Sequence, residues 1–395
     1  MTDPSTQADD VGEMMEAVSE SCVYCRCGCC KDGCPVYEEV LEESMSPKGR
    51  NELIRAVLKG IVEPDERAMR IAYSCLLCRR DEESCGARLK NSEAVEQFRA
   101  FLLRRGLEML PEHRDLANSL RNYGNPWGQA RSSRKRWASA ATWSQRAPQP
   151  GSNLLFVGCT FALDRSLLAT PRAVASIMDK TGGSFQVMLE DEVCCGSTIK
   201  RIGEERMFSE LRKANCESIL FSGARRVVTP CSGCYKTIAQ DYGDMLQGVE
   251  VMHSTQYILE VLRSQRLRVA GLDATVTYHD PCHLGRYAGI YDEPREILGF
   301  ISGLSLVEMR NSRELSMCCG GGGGVKTAYG DLSLRVARKR VREAERTGAS
   351  ILVTACPFCV QTLSAASESL DSSVTVEEIS VLVDRLSADG GGGES

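Results

Sequence analysis

The cysteines are the residues of this chain whose number and spacing most clearly indicate chemistry. There are 20 of them in 395 residues, and the segment CVYCRCGCCKDGCP carries six between Cys22 and Cys34. Disulfide frameworks of this density belong mainly to small secreted proteins. The first residues, MTDPSTQADD, are polar and acidic, so we expect no secretory signal and a reducing, cytoplasmic location. In that location the cysteines are expected to bind metal or to perform redox chemistry.

Charge and hydropathy exclude two other classes of protein. The net charge is −5 and the isoelectric point is near 5.7, whereas a nucleic-acid binder usually carries a basic surface. The sequence also has no apolar run long enough to cross a bilayer. Any association with a membrane is therefore expected to go through a partner.

Ten of the cysteines form a tandem repeat in the C-terminal part of the chain. Each unit contains a lone cysteine, an adjacent pair and a CxxC pair, and the two units are offset by 123 to 125 residues. Flanking residues repeat as well, with VCCGS matching MCCGG and VVTPCSGC matching LVTACPFC. The first unit contains Cys159, Cys194, Cys195, Cys231 and Cys234, and the second contains Cys282, Cys318, Cys319, Cys356 and Cys359.

Five cysteines in a unit exceed what common metal sites use. Structural zinc takes four ligands, and a cubane 4Fe–4S cluster also takes four. Either site would leave one cysteine of each unit without a role. Five converging thiolates therefore suit a metal cluster that is larger or less regular than these.

The elements that position the cysteines follow an α/β pattern. The short apolar runs NLLFVG, RRVVTP, ATVTYHDP and SILVTACP predict buried strands, and they alternate with predicted helices over EERMFSELRKANCESIL and LSLRVARKRVREAERTG. Each lone cysteine ends a strand, and each CxxC pair follows a strand and begins a helix. Strand ends and helix N-termini collect ligands in such folds and favour the thiolate. The glycine run Gly320–Gly324 allows the backbone to approach the sulfurs closely.

The N-terminal part is predicted to be helical. It carries nine cysteines, and helices are expected over NELIRAVLKG, residues 51–60, and over Ala94–Leu110. The stretch from Tyr123 to Asn153 is rich in Gly, Pro, Ser and Arg and is interpreted as a linker. The tail ADGGGGES is of low complexity and predicted to be disordered.

These motifs resemble those of the heterodisulfide reductases. The spacing of the ten cysteines, with FVGCT, DEVCCGS, TPCSGCYKT, YHDPCHLGRYAGIYDEPREIL, MCCGGGGG and TACPFC, is similar to that family's paired CCG cysteine-rich domains. The fused N-terminal segment resembles a ferredoxin-like module, as in the D subunits. The resemblance implies an α+β and α/β fold with a ferredoxin-type domain at 15–122, a linker at 123–152, CCG units at 153–265 and 273–388, and a disordered tail at 389–395.

The resemblance also implies a reaction and its cofactors. Each CCG unit of the family holds a noncubane 4Fe–4S cluster, so the ten repeated cysteines would carry the catalytic clusters. The family reaction reduces the mixed disulfide of coenzyme M and coenzyme B to two thiols. Electrons would enter through one or two N-terminal 4Fe–4S clusters, one of which could be a 3Fe–4S cluster. The implied partner is a membrane cytochrome b subunit or another electron donor, which would place the chain at the inner face of the membrane.

The first N-terminal cysteine run fits the ferredoxin pattern in two alternative registers. The dicluster pattern is C-x2-C-x2-C-x3-C-P, and Cys27, Cys30 and Cys34 fit its last three positions, with Tyr24 at the first. An expanded run of Cys22, Cys25, Cys30 and Cys34 fits as well. Both registers remain open.

The second run lacks one cysteine. Cys75, Cys78 and Cys85 are in place, but Asp81 stands at the third position. A carboxylate there could bind iron weakly, or Cys27 or Cys29 could supply the missing thiolate.

Several residues outside the cysteine sets are further candidates. His279 and His283 flank Cys282 and could donate protons to departing thiolates, although one of them could instead order the strand end. Lys200, Arg201, Lys236 and Arg286 could bind the anionic groups of the disulfide. His253 is expected at a helix N-terminus capped by Ser254 or Thr255, and Cys216 is expected to be a buried apolar side chain.

Two other functions compete with disulfide reduction. The first is an electron-transfer subunit of a flavin-linked glycolate, lactate or glycerol-3-phosphate dehydrogenase, since relatives with incomplete CCG units serve there. The second is a zinc-held interaction scaffold, which predicts a colourless protein. Two complete CCG units favour the reductase.

Overall fold

The fold is built from an N-terminal helical region and two parallel sheets. The computed structural model describes residues 4–138, 151–182 and 184–387. The predicted tail and part of the predicted linker therefore lie outside the described residues. Eight helices precede the first sheet: α1 Pro4–Tyr24, α2 Cys29–Asp32, α3 Tyr37–Val40, α4 Pro47–Leu58, α5 Glu66–Tyr73, α6 Arg80–Ser84, α7 Asn91–Arg104 and α8 Pro111–Tyr123.

Local sequence signals start these helices where the structure has them. The hydroxyl of Ser46 accepts a hydrogen bond from the Gly49 amide at 2.9 Å, with Pro47 as the first residue of α4. Asp65 caps α5 in the same way through the Ala68 amide. The helix predicted over Ala94–Leu110 ends earlier, at Arg104, because Gly106 adopts a left-handed conformation (φ 87°) that terminates it; Pro111 then begins a separate helix.

Each repeat unit contains one four-stranded parallel sheet. The first sheet has the order β2-β1-β3-β4 and the second has the equivalent order β6-β5-β7-β8. The four strands expected from the sequence, β1, β3, β5 and β7, are confirmed and form the central pair of each sheet. The strands are β1 Asn153–Leu155, β2 Phe185–Val187, β3 Arg226–Thr229, β4 Glu250–His253, β5 Ala274–Tyr278, β6 Leu304–Leu306, β7 Ile351–Thr354 and β8 Thr375–Glu378.

Helices follow the strands in both units, as parallel connections require. The two long helices expected from the sequence are confirmed as α12 and α17. The helices are α9 Cys159–Leu163, α10 Ala169–Lys180, α11 Ser197–Arg201, α12 Glu205–Phe221, α13 Ser232–Lys236, α14 Ser254–Arg263, α15 Asp292–Gly299, α16 Val325–Ala328, α17 Gly330–Glu345, α18 Pro357–Ser369 and α19 Ile379–Leu386.

The two units pack against each other through equivalent elements. The N-terminus of α14 meets that of α19, where Ser380 donates a hydrogen bond to Ser254 at 3.4 Å. The cap of α14 differs from the prediction: the ring of His253 itself accepts the Thr255 amide. It does so because its Nε2 is held by the carbonyl of Pro230, which fixes the ring.

One buried arginine joins all three parts of the molecule. The side chain of Arg99 on α7 is fully buried and donates hydrogen bonds to the carbonyls of Ala72, Cys75, Arg201 and Gly323. These acceptors belong to the helical region, the first unit and the second unit. A buried guanidinium needs such partners, since leaving it unpaired is costly. The helical region is thereby fixed against the cysteine motifs of both units.

Candidate metal centres

The first unit gathers its five cysteines at the carboxyl edge of its sheet. Cys159 follows β1 and begins α9, and Cys231 is the N-cap of α13, where its sulfur accepts the Cys234 amide at 3.4 Å. The sulfurs of Cys159 and Cys194 lie 3.7 Å apart, and Cys195 contacts both Cys194 and Cys234. All five thiols are free and buried.

The second unit repeats this arrangement around its own sheet. The sulfurs of Cys319 and Cys359 lie 3.4 Å apart, and the thiols of Cys282 and Cys319 influence the ionisation of Cys318. Backbone amides of the glycine run support the pair, since Gly320 donates to Cys318 at 3.4 Å and Gly321 donates to Cys319 at 3.5 Å. Four of the five thiols are buried and Cys282 is half-buried.

Hydrogen bonding among the thiols favours a thiolate at the same position in both units. Hydrogen bonds from Cys194 and Cys234 lower the pKa of Cys195 to about 6. Hydrogen bonds from Cys318 and Cys359 lower the pKa of Cys319 well below its usual value. A thiolate is the metal-binding form of cysteine. In each unit, buried free sulfurs within contact of one another form a donor set that fits an iron–sulfur cluster.

His279 is directed at the sulfurs of the second unit. Ligand atoms of His279, Cys319 and Cys359 all lie within 4.8 Å of one another, and all three side chains are buried. Nε of the fully buried Arg340 donates to His279 Nδ1 at 3.0 Å. The neutral imidazole then carries its proton on Nε2. His279 is therefore placed as an N–H donor to sulfur.

His283 contacts the lone cysteine of the second unit. Its Nδ1 lies 3.4 Å from the sulfur of Cys282, and its Nε2 accepts a hydrogen bond from Nε of Arg201 at 2.8 Å. The ring also stacks on Tyr287 with centroids 4.9 Å apart. Burial lowers the pKa of His283, so the neutral ring carries its proton on Nδ1, beside the sulfur.

The N-terminal cysteines fall into two groups. Cys34, Cys75 and Cys78 line one small cavity together with Asp81. The Asp81 carboxylate accepts a hydrogen bond from the Asn91 amide at 2.9 Å, and burial raises its pKa. The structure thus brings Asp81 to the position at which the sequence pattern lacks a cysteine.

The second N-terminal group includes Cys22, which belongs only to the expanded form of the first ferredoxin pattern. The charges of Cys25 and Cys85 act on the thiol of Cys22, and those of Cys22, Cys85 and Cys27 act on the thiol of Cys30. Burial raises the pKa of Cys22 to about 11. Cys27 and Cys29 are exposed, although the sulfur of Cys27 lies 3.3 Å from that of Cys25.

One N-terminal cysteine group touches the second unit directly. The thiols of Cys78 and Cys318 lie in one buried cluster and influence each other's ionisation. Arg286 lies beside this contact and donates to the carbonyl of Cys78 at 2.5 Å and to that of Ser316 at 2.7 Å. The first unit has no such contact among the cysteine contacts of the described residues.

A cavity of about 490 Å³ opens onto the second unit. Its walls come from α8 of the helical region, from the first unit and from the glycine run of the second unit. Cys282, His283, Cys319, Cys356 and Cys359 line it. None of the five cysteines of the first unit is among its lining residues.

The cysteines of the first unit line a separate, much smaller cavity. Pro357 and Phe358 of the second unit form part of its wall. Ser197, Thr198, Gly233 and Phe358 line both cavities and so form the partition between them.

The cationic residues expected to bind substrate are mostly engaged elsewhere. Nζ of Lys200 and Nζ of Lys236 lie 2.8 and 2.6 Å from the Asp241 carboxylate, and Arg286 bonds to backbone carbonyls. Lys200, Lys236 and Arg286 are not among the residues lining the large cavity, whereas Arg201 is.

Sequence reasoning missed two residues at this site. Lys326 lines the large cavity, and its position directly after the glycine run was the available signal. Arg99 lies within an ordinary amphipathic pattern that gives no sign of its three-way contacts.

Comparisons with known proteins agree with the repeat. The family model described as "Cysteine-rich domain" (CCG) matches residues 154–239 and 276–364. The chain is 30% identical over 402 residues to the D subunit of the dihydromethanophenazine:CoB–CoM heterodisulfide reductase of Methanosarcina acetivorans, covering 96% of this chain and 97% of that protein.

Two other relatives carry different names. The chain is 26% identical to the EtfAB:quinone oxidoreductase of Syntrophomonas wolfei, covering 86% of this chain and 54% of that protein. It is 28% identical to the B subunit of the fumarate reductase (CoM/CoB) of Methanothermobacter marburgensis, covering 84% of this chain and 65% of that protein. In the described part of the chain, no helix combines the length and hydropathy needed to cross a membrane.

Proposed function

Because the chain belongs to the family of heterodisulfide reductase D subunits, we propose that it is the polypeptide in which the mixed disulfide of coenzyme M and coenzyme B is cleaved. Iron–sulfur oxidoreductase chemistry is common to the family. The observation that carries the finer proposal is the large cavity, which reaches four cysteines of a complete five-cysteine set and His283. A pure electron relay has no need of such a chamber.

Each repeat unit would hold one noncubane 4Fe–4S cluster through its five cysteines. The N-terminal region would hold one cluster through Cys22, Cys25, Cys30 and Cys85, and another at Cys34, Cys75, Cys78 and Asp81. When bound, the clusters supply single electrons and iron that can take up sulfur. The free, mutually adjacent thiols of the described residues support this assignment.

Residues of the second unit would donate hydrogen bonds to the departing sulfurs, and the two protons would come from solvent. Reducing a disulfide to two thiols consumes two electrons and two protons. His283 lines the cavity and holds a proton on Nδ1 beside Cys282, with Arg201 fixing the ring through Nε2. His279 holds its proton beside Cys319. We assign His283 as a hydrogen-bond donor that stabilises a departing thiolate, which then takes its proton from solvent, and His279 as a donor that holds the sulfur in place.

Electrons would reach the cavity through the second unit. The contact between Cys78 and Cys318 links the Asp81-containing group to the second unit. The thiolates of Cys231 and Cys356, one from each unit, are also close enough to influence each other. The proposed order is therefore the N-terminal groups, then the second unit, with the first unit beyond it.

The proposed partner is a membrane cytochrome b subunit that passes electrons to the N-terminal groups. The chain would then lie at the inner face of the membrane. This assignment rests on the family alone.

An anaerobic assay tests the proposed reaction. Reconstituted protein is mixed with a reduced viologen dye and the coenzyme M–coenzyme B disulfide, and dye oxidation is followed. We expect turnover by the wild-type protein and none by Cys318→Ala, with iron and sulfide measured in both. Dye oxidation by the wild-type protein no faster than by Cys318→Ala would refute the proposal.

A second candidate function follows from the relative named EtfAB:quinone oxidoreductase. The chain would then pass electrons between a flavoprotein and another acceptor. This function predicts reduction of the clusters by a flavoprotein and no effect of the disulfide on their spectra. The assay above separates the two functions.

A further inference from the structure

We propose that Lys326, with the glycine run before it, binds the anionic group of the disulfide half that docks at the second unit. This inference rests on the proposed function and names the part of the site that recognises charge. Lys326 is a candidate substrate contact because it lines the cavity, not because it belongs to a sequence motif.

Lys326 offers the cavity a cation that forms no direct ion pair, although the charge of Asp164 acts on it from a greater distance. It lies in the first turn of α16 and lines the cavity. Its Nζ donates to the Gln361 side chain at 2.6 Å, and Gln361 in turn donates to Asp164. In the described part of the chain, no carboxylate lies within ion-pair distance of Lys326 Nζ. An ammonium group has three donors, so capacity remains for a ligand.

The other cations near the cavity are already engaged. Arg201 is the second cation among the lining residues. Its Nε and Nη1 donate to His283 and to the carbonyl of Ser197, and its Nη2 has no hydrogen bond within the described residues but lies 3.7 Å from the Asp241 carboxylate, which balances its charge. Removing it from these partners would also release His283. Lys326 is therefore the cation that can bind an anion without disturbing the hydrogen bonds that orient His283.

The glycine run adds amide donors at the same wall. The N–H groups of Gly322, Gly323 and Gly324 are not donated to any acceptor among the described residues, and all three glycines line the cavity. A Cβ at Gly323 would lie 2.4 Å from the carbonyl oxygen of Cys75, and one at Gly324 would lie 2.8 Å from the His113 ring. Only glycine permits this approach, which leaves the backbone free for a ligand. Consecutive free amides beside a cation are a common way to bind oxyanions.

The position of Lys326 also limits the size of the ligand. The charges of Cys319 and Cys356 act on its ammonium group, so an anion on Lys326 lies close to the sulfurs of the second unit. The wall formed by α8 instead presents Glu112 and Asp115, which repel an anion. We therefore assign this subsite to a compact thiol half whose sulfonate lies a few bonds from its sulfur.

Binding of two thiols tests this assignment. Mercaptoethanesulfonate is the anionic probe and mercaptoethanol is its neutral analogue, and each is titrated into oxidised, cluster-loaded protein while the electron paramagnetic resonance spectrum is followed. The variants are Lys326→Met, which keeps the length and removes the charge, and Lys326→Arg, which keeps the charge. Lys213→Met on the exposed face of α12 is the matched control. Iron and sulfide contents confirm that all the proteins are equally loaded.

We expect Lys326→Met to raise the Kd of the sulfonate by about 10- to 100-fold, as for the loss of a hydrogen bond to a charged group. The Kd of the neutral thiol should change less than about twofold, and Lys326→Arg should recover most of the affinity. If Lys326→Met leaves the Kd of the sulfonate unchanged, or weakens the binding of both thiols equally, the assignment of Lys326 is wrong while the proposed function stands. If neither thiol perturbs the wild-type spectrum, the proposed function fails and the assignment fails with it.

Discussion

The two repeat units carry the same five-cysteine pattern but differ in the residues and the open space around it. In the second unit, His279 and His283 lie on the sulfurs and a cavity of about 490 Å³ opens onto them. In the first unit the equivalent positions are Phe156 and Thr160. The wall beside its cysteines is formed in part by Phe358. The duplication thus kept the ligands and changed what can reach them.

The turns between the CxxC cysteines explain the difference in access. The second unit has Pro357 and Phe358 in its turn, whereas the first has Ser232 and Gly233. Both Gly233 and Phe358 lie in the partition between the cavities. Gly233 of the first unit leaves room beside the cysteines of the second unit. The Phe358 ring of the second unit fills the space beside the cysteines of the first unit. Access therefore depends on the turn supplied by the opposite unit.

The two units also neutralise their buried carboxylates differently. Glu192 of the first unit pairs with Arg134, which lies before that unit, at 2.7 Å, and both side chains are almost fully buried. Asp280 of the second unit pairs with Arg295 of α15 in the same unit at 2.6 Å. The first unit depends on a residue from outside its own sheet and helices.

The largest effect is expected from breaking the buried ion pair between Arg134 and Glu192 of the first unit. Arg134→Met leaves the Glu192 carboxylate buried without its partner, which typically costs about 3–5 kcal/mol. Glu192 also holds the amides of Val157 and Gly158 before Cys159, so iron should be lost from this unit first. Chemical denaturation and iron content measure the two effects. Arg134→Met/Glu192→Gln should recover part of the stability, and a loss below about 1 kcal/mol in the single variant would contradict the prediction.

The next effect concerns access to the second unit. Gly233→Phe gives the first unit the turn residue of the second, and its ring is expected to enter the large cavity. A Cβ at Gly233 meets nothing closer than the Ser197 hydroxyl at 3.4 Å, so the fold should tolerate the change. We expect disulfide turnover with the viologen dye to fall roughly 100-fold at unchanged iron content.

Gly233→Ala is the control for this variant and should stay within about twofold of the wild-type rate, since a methyl group does not reach across the cavity. Wild-type kcat/KM in Gly233→Phe would show that the partition does not control access.

A smaller effect is expected from removing His279, the N–H donor that the cysteines of the second unit have and those of the first unit lack. His279→Phe reproduces the first unit, where Phe156 stands at this position. Loss of an N–H donor to sulfur should make the reduction potential of the second unit's centre more negative, because such bonds stabilise the more negative reduced state. A redox titration followed by electron paramagnetic resonance measures the shift.

Phe156→Leu in the first unit is the matched control and should leave this potential unchanged. An identical potential in His279→Phe would show that the ring does not act on the sulfurs.

The smallest effect concerns the equivalent helix caps His253 and Glu378. Burial raises the pKa of Glu378 to about 8 from an ordinary 4.5. A raised folded pKa means that its stabilising contribution is present below pH 4.5 and is lost as the pH rises to about 8. Glu378→Gln should therefore raise Tm at pH 8 by about 2–4 °C and change it little at about pH 5.

His253 should show the opposite dependence. Burial lowers its pKa to about 3 from 6.5, so stability is lost as the pH falls below 6.5. His253→Asn, which can still cap α14, should reduce that loss between pH 6.5 and about 5 in thermal melts. The same direction of pH dependence in both variants would contradict the comparison.

Sequence patterns were sufficient for the central strands, for two long helices and for the candidate ligand sets. The alternation of apolar runs with amphipathic stretches identified the central strands and the long helices, because parallel strands are buried on both faces and leave a local signature. The repeat register identified ten cysteines whose sulfurs meet in the structure. Asp81 was also identified from spacing alone, because Cys75, Cys78 and Cys85 show where the third cysteine of the ferredoxin pattern would stand.

Sequence patterns were insufficient where long-range contacts decide a role. Lys200 and Lys236 were expected to bind substrate, but both are ion-paired with Asp241, and neither lines the large cavity. His253 was expected to lie beside a serine or threonine cap, but it is the cap itself. The role of Lys326 depends on the packing of the glycine run against Cys75 and His113. None of these contacts leaves a periodicity or a spacing along the chain.

The sequence by itself determined the fold class, the duplication and the candidate sulfur ligands, because spacing and local capping are properties of neighbouring residues. The tertiary structure alone decided which unit is open to a ligand and which cation remains available to it. Those properties depend on Arg99, Gly233 and Phe358, which are far from their contacts in the chain. Access and charge balance arise only when distant surfaces pack together.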